Sequence, residues 1–300
     1  MENNIMMSVD MDEWYHCRWA TGSPYAHWPD TTSFFKSYYK KDKPMGEIIP
    51  LTEAILEIFT EFNITATFFF TGEVAFHYPQ LVRTVSANGH EIASHNYVHK
   101  DYNLENPKAF RANLHKSKVL LEDLSSSRVI GYRAPNLTVS PYMIEALLEE
   151  GFLYDSSVVP TRAFMGKYGN FINAPRNPYI LDLNDLAREG NSGLWEFPLP
   201  VFPVLRLPSG SGITSRICGY YYTVISLQCA LKQGDTVYYF HPYEIGPRPN
   251  LPFKNPYTML FLRNIGQPYL KMLKKLCALF RGRFISGKML YEKLTGNKLP

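Results

Sequence analysis

Short apolar runs rich in β-forming residues alternate with helix-periodic stretches through the first half of the chain, and this alternation does most to narrow the fold. IMMSVDM (5–11) comes before IIPLTEAILEIFTEF (48–62), and ITATFFFTG (64–72) before YPQLVRTVSANG (78–89); in each second member the apolar residues recur at the helical period. HEIASHN, RVIGYRAP and FLYDSSV read as further strands. NPKAFRANLHKSKVLLEDL reads as a helix opened by Pro107, and SPYMIEALLEEG as one capped by Ser140 and stopped at Gly151. Neighbouring parallel strands need a long crossover between them, and here helices fill it. The pattern therefore predicts an α/β chain built on a parallel sheet or barrel. With 300 residues, 45% of them hydrophobic, the chain can bury a large core without disulfide staples.

Two regions break the rhythm. Residues 13–46 are loop-like and aromatic, carrying Trp14, Tyr15, Trp19, Tyr25 and Trp28, and residues 160–216 are rich in Pro, Gly and Asn, with one strand expected at GLWEFPL. Loops this long usually cover or build a site. A helix from about Ile217 to Lys232 and the strand DTVYYFHP (235–242) follow. From Lys254 to Pro300 ten basic residues stand against one acid, Glu292, so this end is net +9 and the remainder −5 of the formal +4. The chain reads as one domain, 1–300, ending in a basic amphipathic extension, 254–300, where Tyr269, Met272, Leu273, Leu276, Leu279 and Phe280 share a face. Such a segment packs on the barrel or lies on an anionic membrane surface.

Several classes are excluded. Cys17, Cys218, Cys229 and Cys277 form no C-x-x-C pair, so neither a zinc knuckle nor a disulfide framework is expected. No stretch approaches the roughly 18 consecutive apolar residues of a spanning helix. The opening MENNIMMSVDMDEW lacks the basic and apolar regions of a cleaved leader. The expectation is a cytoplasmic protein, peripheral at most at the inner membrane face, with no nucleic-acid partner.

Candidate chemistry gathers where strands end. In ASHNYVHKD (93–101), His95 and His99 stand four apart, a spacing that lets two imidazoles on one face of a helical turn reach one metal ion. SVDMDEW ends the first strand with Asp10 and Asp12 on one face. Asp favours turns and caps as well, but an acid at the end of an apolar strand is costly unless it is paired or metal-bound. Two histidines and a carboxylate make a divalent-metal set with positions left for water. Of the other histidines, His16 and His27 read as surface residues, and His77, His90 and His115 as structural ones.

Taken together, SVDMDEW, ATFFFTG, GHEIASHNYVH, GYRAP, YDSS, WEFPL and YYFHPYEI resemble, in order, the motifs of the polysaccharide deacetylases that share the nodulation-protein homology domain. The likeness is to the subgroup with a D-x-D or D-x-E first motif, and it runs from about Met7 to Pro249. It implies a deformed (β/α) barrel of about seven parallel strands, with the site at the C-terminal ends of the strands. It further implies Asp10 as general base, Asp12, His95 and His99 as metal ligands, and Arg133 set against the base. The backbone N–H of Asn136 would help form the oxyanion hole, and Asp155 would orient His241, the general acid. Tyr239 would contact substrate, as would Trp195 by its family position, although Trp195 also reads as a core residue; Trp14, by residue type, would stack on a sugar ring or bury its loop. Where the family writes Leu two residues before the acid histidine, this chain has Tyr239.

The activity so implied is hydrolysis of the N-acetyl group of an acetamido sugar, or of its lipid- or nucleotide-linked precursor, in surface polysaccharide or glycolipid biosynthesis. One divalent ion would be needed, zinc first among zinc, cobalt, nickel and manganese. A deformylase or other amide hydrolase would use the same metal set. A non-catalytic sugar-binding member would be expected to lose a ligand or the base. A D-x-D glycosyltransferase would explain Asp10 and Asp12 but not the histidine pair, and the chain has no G-x-G-x-x-G loop.

Overall fold

The protein is described from a computed structural model covering residues 2–17, 35–101, 106–162, 170–249 and 256–299; Trp19, Tyr25, His27 and Trp28 lie outside the described residues. The strands are β1 (Ile5–Met11), β2 (Thr67–Phe70), β3 (Glu91–Ser94), β4 (Gly131–Tyr132), β5 (Tyr154–Asp155), β6 (Tyr179–Ile180), β7 (Trp195–Glu196), β8 (Thr236–Phe240) and β9 (Phe284–Ile285). The helices are α1 (Ile48–Phe62), α2 (Gly72–His77), α3 (Pro79–Ala87), α4 (Pro107–Ser125), α5 (Pro141–Glu149), α6 (Gly212–Cys218), α7 (Tyr220–Gln233), α8 (Pro256–Phe261), α9 (Gln267–Leu279) and α10 (Gly287–Thr295).

The strand order is β6-β7-β5-β4-β3-β2-β1-β8, with β9 beside the start of β1. Neighbours are parallel except β6 and β7. The sheet curls until the chain beyond β7 meets β8, where Tyr239 N–H donates to the Gly210 carbonyl at 3.0 Å. This is the deformed parallel barrel that the alternating pattern and the motifs imply.

Strand alternation sorts side chains between two cores. On β1, Ile5, Met7, Val9 and Met11 face the helices in one large cluster, together with Phe68 and Phe70 of β2. Met6, Phe69, Ala93, Tyr154, Phe197, Val237 and Tyr239 fill the interior in a second. The inward series on β1 thus runs Met6, Ser8, Asp10 and then Asp12, from apolar floor to charged mouth.

Local signals place most helix ends. The Ser140 hydroxyl accepts from Met143 N–H at 3.3 Å and the Asn106 side chain from Ala109 N–H at 2.9 Å, each satisfying an orphan donor ahead of a first-turn proline. The helix expected from Ile217 to Lys232 is two helices, because Gly219 (φ +93°, ψ 174°) adopts a backbone conformation no helix interior tolerates. On α9, Tyr269, Leu273 and Leu276 are buried as the apolar face requires, whereas Leu279 is 48% exposed at the helix end. The Tyr269 hydroxyl meets Tyr238 of β8 at 3.0 Å, and Lys274 pairs with Glu61 of α1 at 2.9 Å. Among the described residues no helix is long and apolar enough to cross a membrane.

Gly131 lies so close to the ring of Tyr154 that an added Cβ would overlap it. Gly131→Ala should therefore lower stability by about 2 kcal/mol through overpacking of the interior, read as a fall in the urea midpoint at unchanged m-value. An unchanged midpoint would mean that the Tyr154 ring moves aside freely.

Candidate active site

Asp10, Asp12, His95, His99, Asn136, Tyr239 and His241 line one cavity of about 60 Å³ at the C-terminal ends of the strands. The carboxylates of Asp10 and Asp12 arrive there because they follow Met6 and Ser8 on the inward face of β1. His95 comes directly after β3 and His241 directly after β8, on the same inward parity as Ala93 and Tyr239.

His99 reaches the cavity by a route that its spacing did not foresee. Residues 95–99 are not helical; the chain bends at Asn96, which sits in the left-handed region at φ +64°, a region Asn tolerates better than most residues. The bend is pinned from outside. The Asn96 and Tyr97 carbonyls accept from Gly72 and Glu73 at the start of α2, each at 2.9 Å, and Ser117 of α4 donates to the Asn96 carbonyl at 3.1 Å. The Tyr97 ring lies against Gly72, where a Cβ would overlap it.

Asp12, His95 and His99 are all buried and can bring one ligand atom each within 4.8 Å of the others. His99 Nε2 lies 3.4 Å from Asp12 Oδ2. His95 Nδ1 lies 2.7 Å from the Arg133 carbonyl; a carbonyl only accepts, so Nδ1 carries the proton and the Nε2 lone pair is left as a ligand. Burial lowers the His95 pKa to about 4, which keeps the ring neutral as a metal ligand must be. Burial, with Asp10 nearby, raises Asp12 to about 7 against the opposing pull of His241. Asp12 Oδ1 is buried and accepts no hydrogen bond. A buried acid raised in this way, with an oxygen left over and two imidazoles beside it, fits a divalent cation by its donor chemistry.

Asp10 has a different partner. Arg133, with no exposed surface, donates from Nη1 to Asp10 Oδ1 at 2.6 Å and to the Ser8 hydroxyl at 2.9 Å. Its Nε donates to the Ser156 carbonyl at 2.9 Å and its Nη2 to the Ser156 hydroxyl at 2.8 Å. The rings of Phe69 and Tyr239 lie against the guanidinium. Asn136 lines the cavity in left-handed backbone (φ +56°), its side chain anchored to Asp101 Oδ1 at 2.6 Å.

His241 Nε2 faces Asp12 Oδ1 at 3.7 Å. Its Nδ1 bonds not to Asp155, the expected partner, but to Glu244 Oε1 at 2.7 Å. Tyr154 and Ser156 point into the barrel, so strand alternation turns Asp155 outward. There it accepts from the Ser157 hydroxyl at 2.6 Å and lies against Glu196, which also accepts the Ser157 and Val158 N–H groups. Burial raises both carboxyls of that pair; Asp155 pushes Glu196 up further, while the hydrogen bonds from Ser157 and Glu196 pull Asp155 back down. Burial alone would lower His241, but the carboxylates of Asp12 and Glu244 outweigh it and raise the ring to about 9.

Trp14 is buried beside a larger cavity of about 460 Å³ shared with Asp12, Tyr38, Tyr39, Glu47 and Tyr243, and its indole N–H donates to Glu47 at 3.3 Å. Trp195 does not reach the site: it packs on the interior cluster with Phe197 and Leu199, its side chain spent on filling the barrel. His16, expected at the surface, is 3% exposed, with Nδ1 accepting from Glu13 N–H at 2.9 Å and its ring 5.4 Å from that of His99. His115 is an exposed partner of Glu150. Glu244 and Arg216 were missed; the one local signal was an acid three residues after His241, within reach across a single turn.

Residues 45–154 match the family model described as polysaccharide deacetylase. The chain is 33% identical over 110 residues to a peptidoglycan deacetylase of Helicobacter pylori, a match covering 35% of this chain and 36% of that protein. It is 28% identical over 141 residues to a peptidoglycan-N-acetylglucosamine deacetylase of Bacillus cereus, covering 46% of each. These matches span between about a third and a half of the curated relatives' lengths. A crystal structure titled as a putative polysaccharide deacetylase from Mycobacterium smegmatis superposes with a TM-score of 0.62 at 19% identity, covering 100% of this chain and 93% of that one; at that identity the likeness is one of fold.

Arg133→Met should destabilise the protein by about 3 kcal/mol, because it strands the Asp10 carboxylate without its buried counter-charge. A chemical-denaturation midpoint within error of the parent's would show that the pair contributes nothing net.

Proposed function

Starting from the polysaccharide deacetylase domain that this chain carries, we propose that the protein is a metal-dependent N-deacetylase of an acetamido sugar in a surface glycan. The observation that carries this reading is the arrangement around one cavity: a His₂Asp ligand set, a carboxylate held by a buried arginine on one side, and a histidine hydrogen-bonded to a buried carboxylate on the other.

Asp12, His95 and His99 would hold the ion, with zinc the best match to these donors, and when bound it would acidify water and stabilise negative charge on the acetyl oxygen. The remaining work falls to the chain. Asp10, fixed by Arg133, takes the proton from the attacking water. Asn136 lines the cavity, and its backbone N–H would donate to the acetyl oxygen as charge builds there. An amine leaves only if it is protonated as the C–N bond breaks, and His241 holds a proton within reach of the same space. The Tyr239 ring narrows the part of the cavity next to Arg133 and His241, which suits an acyl group as small as acetyl.

The aromatic cavity beside Asp12 offers faces on which a pyranose ring can lie, with Glu47 at its edge for hydroxyl groups. A finished glycan and a lipid- or nucleotide-linked precursor present the same acetamido group to this site, and the names of the relatives favour a peptidoglycan-type sugar.

The test pairs metal content by mass spectrometry with acetate release from tetra-N-acetylchitotetraose and peptidoglycan fragments. Wild-type protein should hold one divalent ion per chain and release acetate, and His95→Ala should lose the ion and at least ~100-fold of the rate. Full metal content in the variant, or no acetate from a metal-loaded wild type, would overturn the reading.

A further inference from the structure

We propose that Glu244, held by Arg216, is the positioning residue of His241: it sets the tautomer and orientation with which that ring delivers its proton to the departing amine. This rests on the deacetylase reading above and assigns to Glu244 the part that the motif order suggested for Asp155.

The geometry is local and closed. His241 caps the single turn Pro242–Glu244, which folds the Glu244 side chain back onto its ring. With Nδ1 bonded to Glu244 Oε1 at 2.7 Å, Nε2 is the nitrogen left facing the cavity and Asp12. The Tyr243 ring stacks on the imidazole at 4.9 Å and 18°, and the Tyr239 ring meets it edge-on at 5.6 Å and 74°, so the ring plane is held as well as its hydrogen bond. A carboxylate on Nδ1–H keeps that nitrogen protonated and directs the transferable proton to Nε2.

Glu244 is itself immobilised. It has no exposed surface, and its Oε2 accepts from Arg216 Nε at 2.9 Å. Arg216, equally buried, donates from Nη1 to the carbonyls of Phe261 at 2.6 Å and Arg263 at 2.8 Å, while Asn264 donates to the Arg216 carbonyl at 2.7 Å. Gly212, the first residue of α6, lies against the carboxylate, where a Cβ would come within 2.6 Å of Glu244 Cδ. Removing Glu244 would leave Arg216 as an uncompensated buried charge, a costly state. An acid that served only to balance Arg216 would not need its second oxygen on the histidine.

The step is balanced as follows. His241 Nε2–H gives its proton to the amide nitrogen of the tetrahedral adduct. The C–N electron pair stays on that nitrogen, the carbonyl re-forms, and the free amine and acetate result. An ester with a phenolate leaving group needs no such proton, and this separates positioning of the acid from a purely structural role.

The experiment compares wild type, Glu244→Gln, Glu244→Asp and the double variant Glu244→Gln with Arg216→Met, the last removing both buried charges so that folding is not the variable. Each is assayed on tetra-N-acetylchitotetraose and on 4-nitrophenyl acetate, with metal content and melting temperature measured alongside. Glu244→Gln and the double variant should lose about 100-fold in kcat on the amide at a KM within about twofold, yet retain the metal and lose no more than about threefold on the ester. Glu244→Asp should recover part of the amide rate. An equal loss on both substrates, or no loss in a folded, metal-loaded Glu244→Gln, overturns this inference alone. A metal-loaded wild type that hydrolyses neither substrate overturns the deacetylase reading and this one with it.

Discussion

One guanidinium in the barrel interior organises the rest of the site. Arg133 bonds to Asp10 and Ser8 of β1 and to Ser156 just beyond β5, while its own carbonyl holds His95. Proposed base and proposed ligand are thus oriented by a single residue. Water cannot reach this charge, so the barrel must supply every partner itself, and three strands are held in mutual position as it does so.

The acid side repeats the device. Arg133 and Arg216 are the largest fully buried side chains among the described residues, and each clamps a carboxylate, Asp10 in one case and Glu244 in the other. Buried ion pairs are poor sources of stability when weighed against a well-packed apolar core. Here their use is geometric: each carboxylate takes one N–H from a guanidinium whose other N–H groups are bonded to the surrounding chain, so whatever the carboxylate touches inherits its orientation.

The helices were legible because their signals are local. The period of IIPLTEAILEIFTEF, Pro107 after Asn106, and Ser140 before Pro141 each act within one or two turns. The same holds for the inward series Ser8, Asp10, Asp12, which needs only the two-residue repeat of a strand. Where reasoning failed, the deciding contact came from a distant part of the chain or from a change in backbone conformation. His99 reaches the metal set through a bend at Asn96 that α2 and α4 hold in place, not through a helical turn. His16 is buried because the short turn Trp14–His16 sets its ring beside that of His99, and one glycine splits a helix whose apolar pattern runs on through it.

The sequence by itself determined the α/β alternation, the order of the motifs, and the residues that could hold a metal or move a proton, because these depend on residue type and on spacing along one element. Which carboxylate serves which histidine was decided only by the tertiary structure. Asp155 of YDSS and Glu244 of YYFHPYEI are both motif acids in the text of the chain, and only the second stands beside a histidine there. Strand parity turns the first outward to Glu196, and one turn after β8 folds the second onto His241. A side chain's partner depends on the direction in which its backbone presents it, and that direction is set by the packing of the whole barrel.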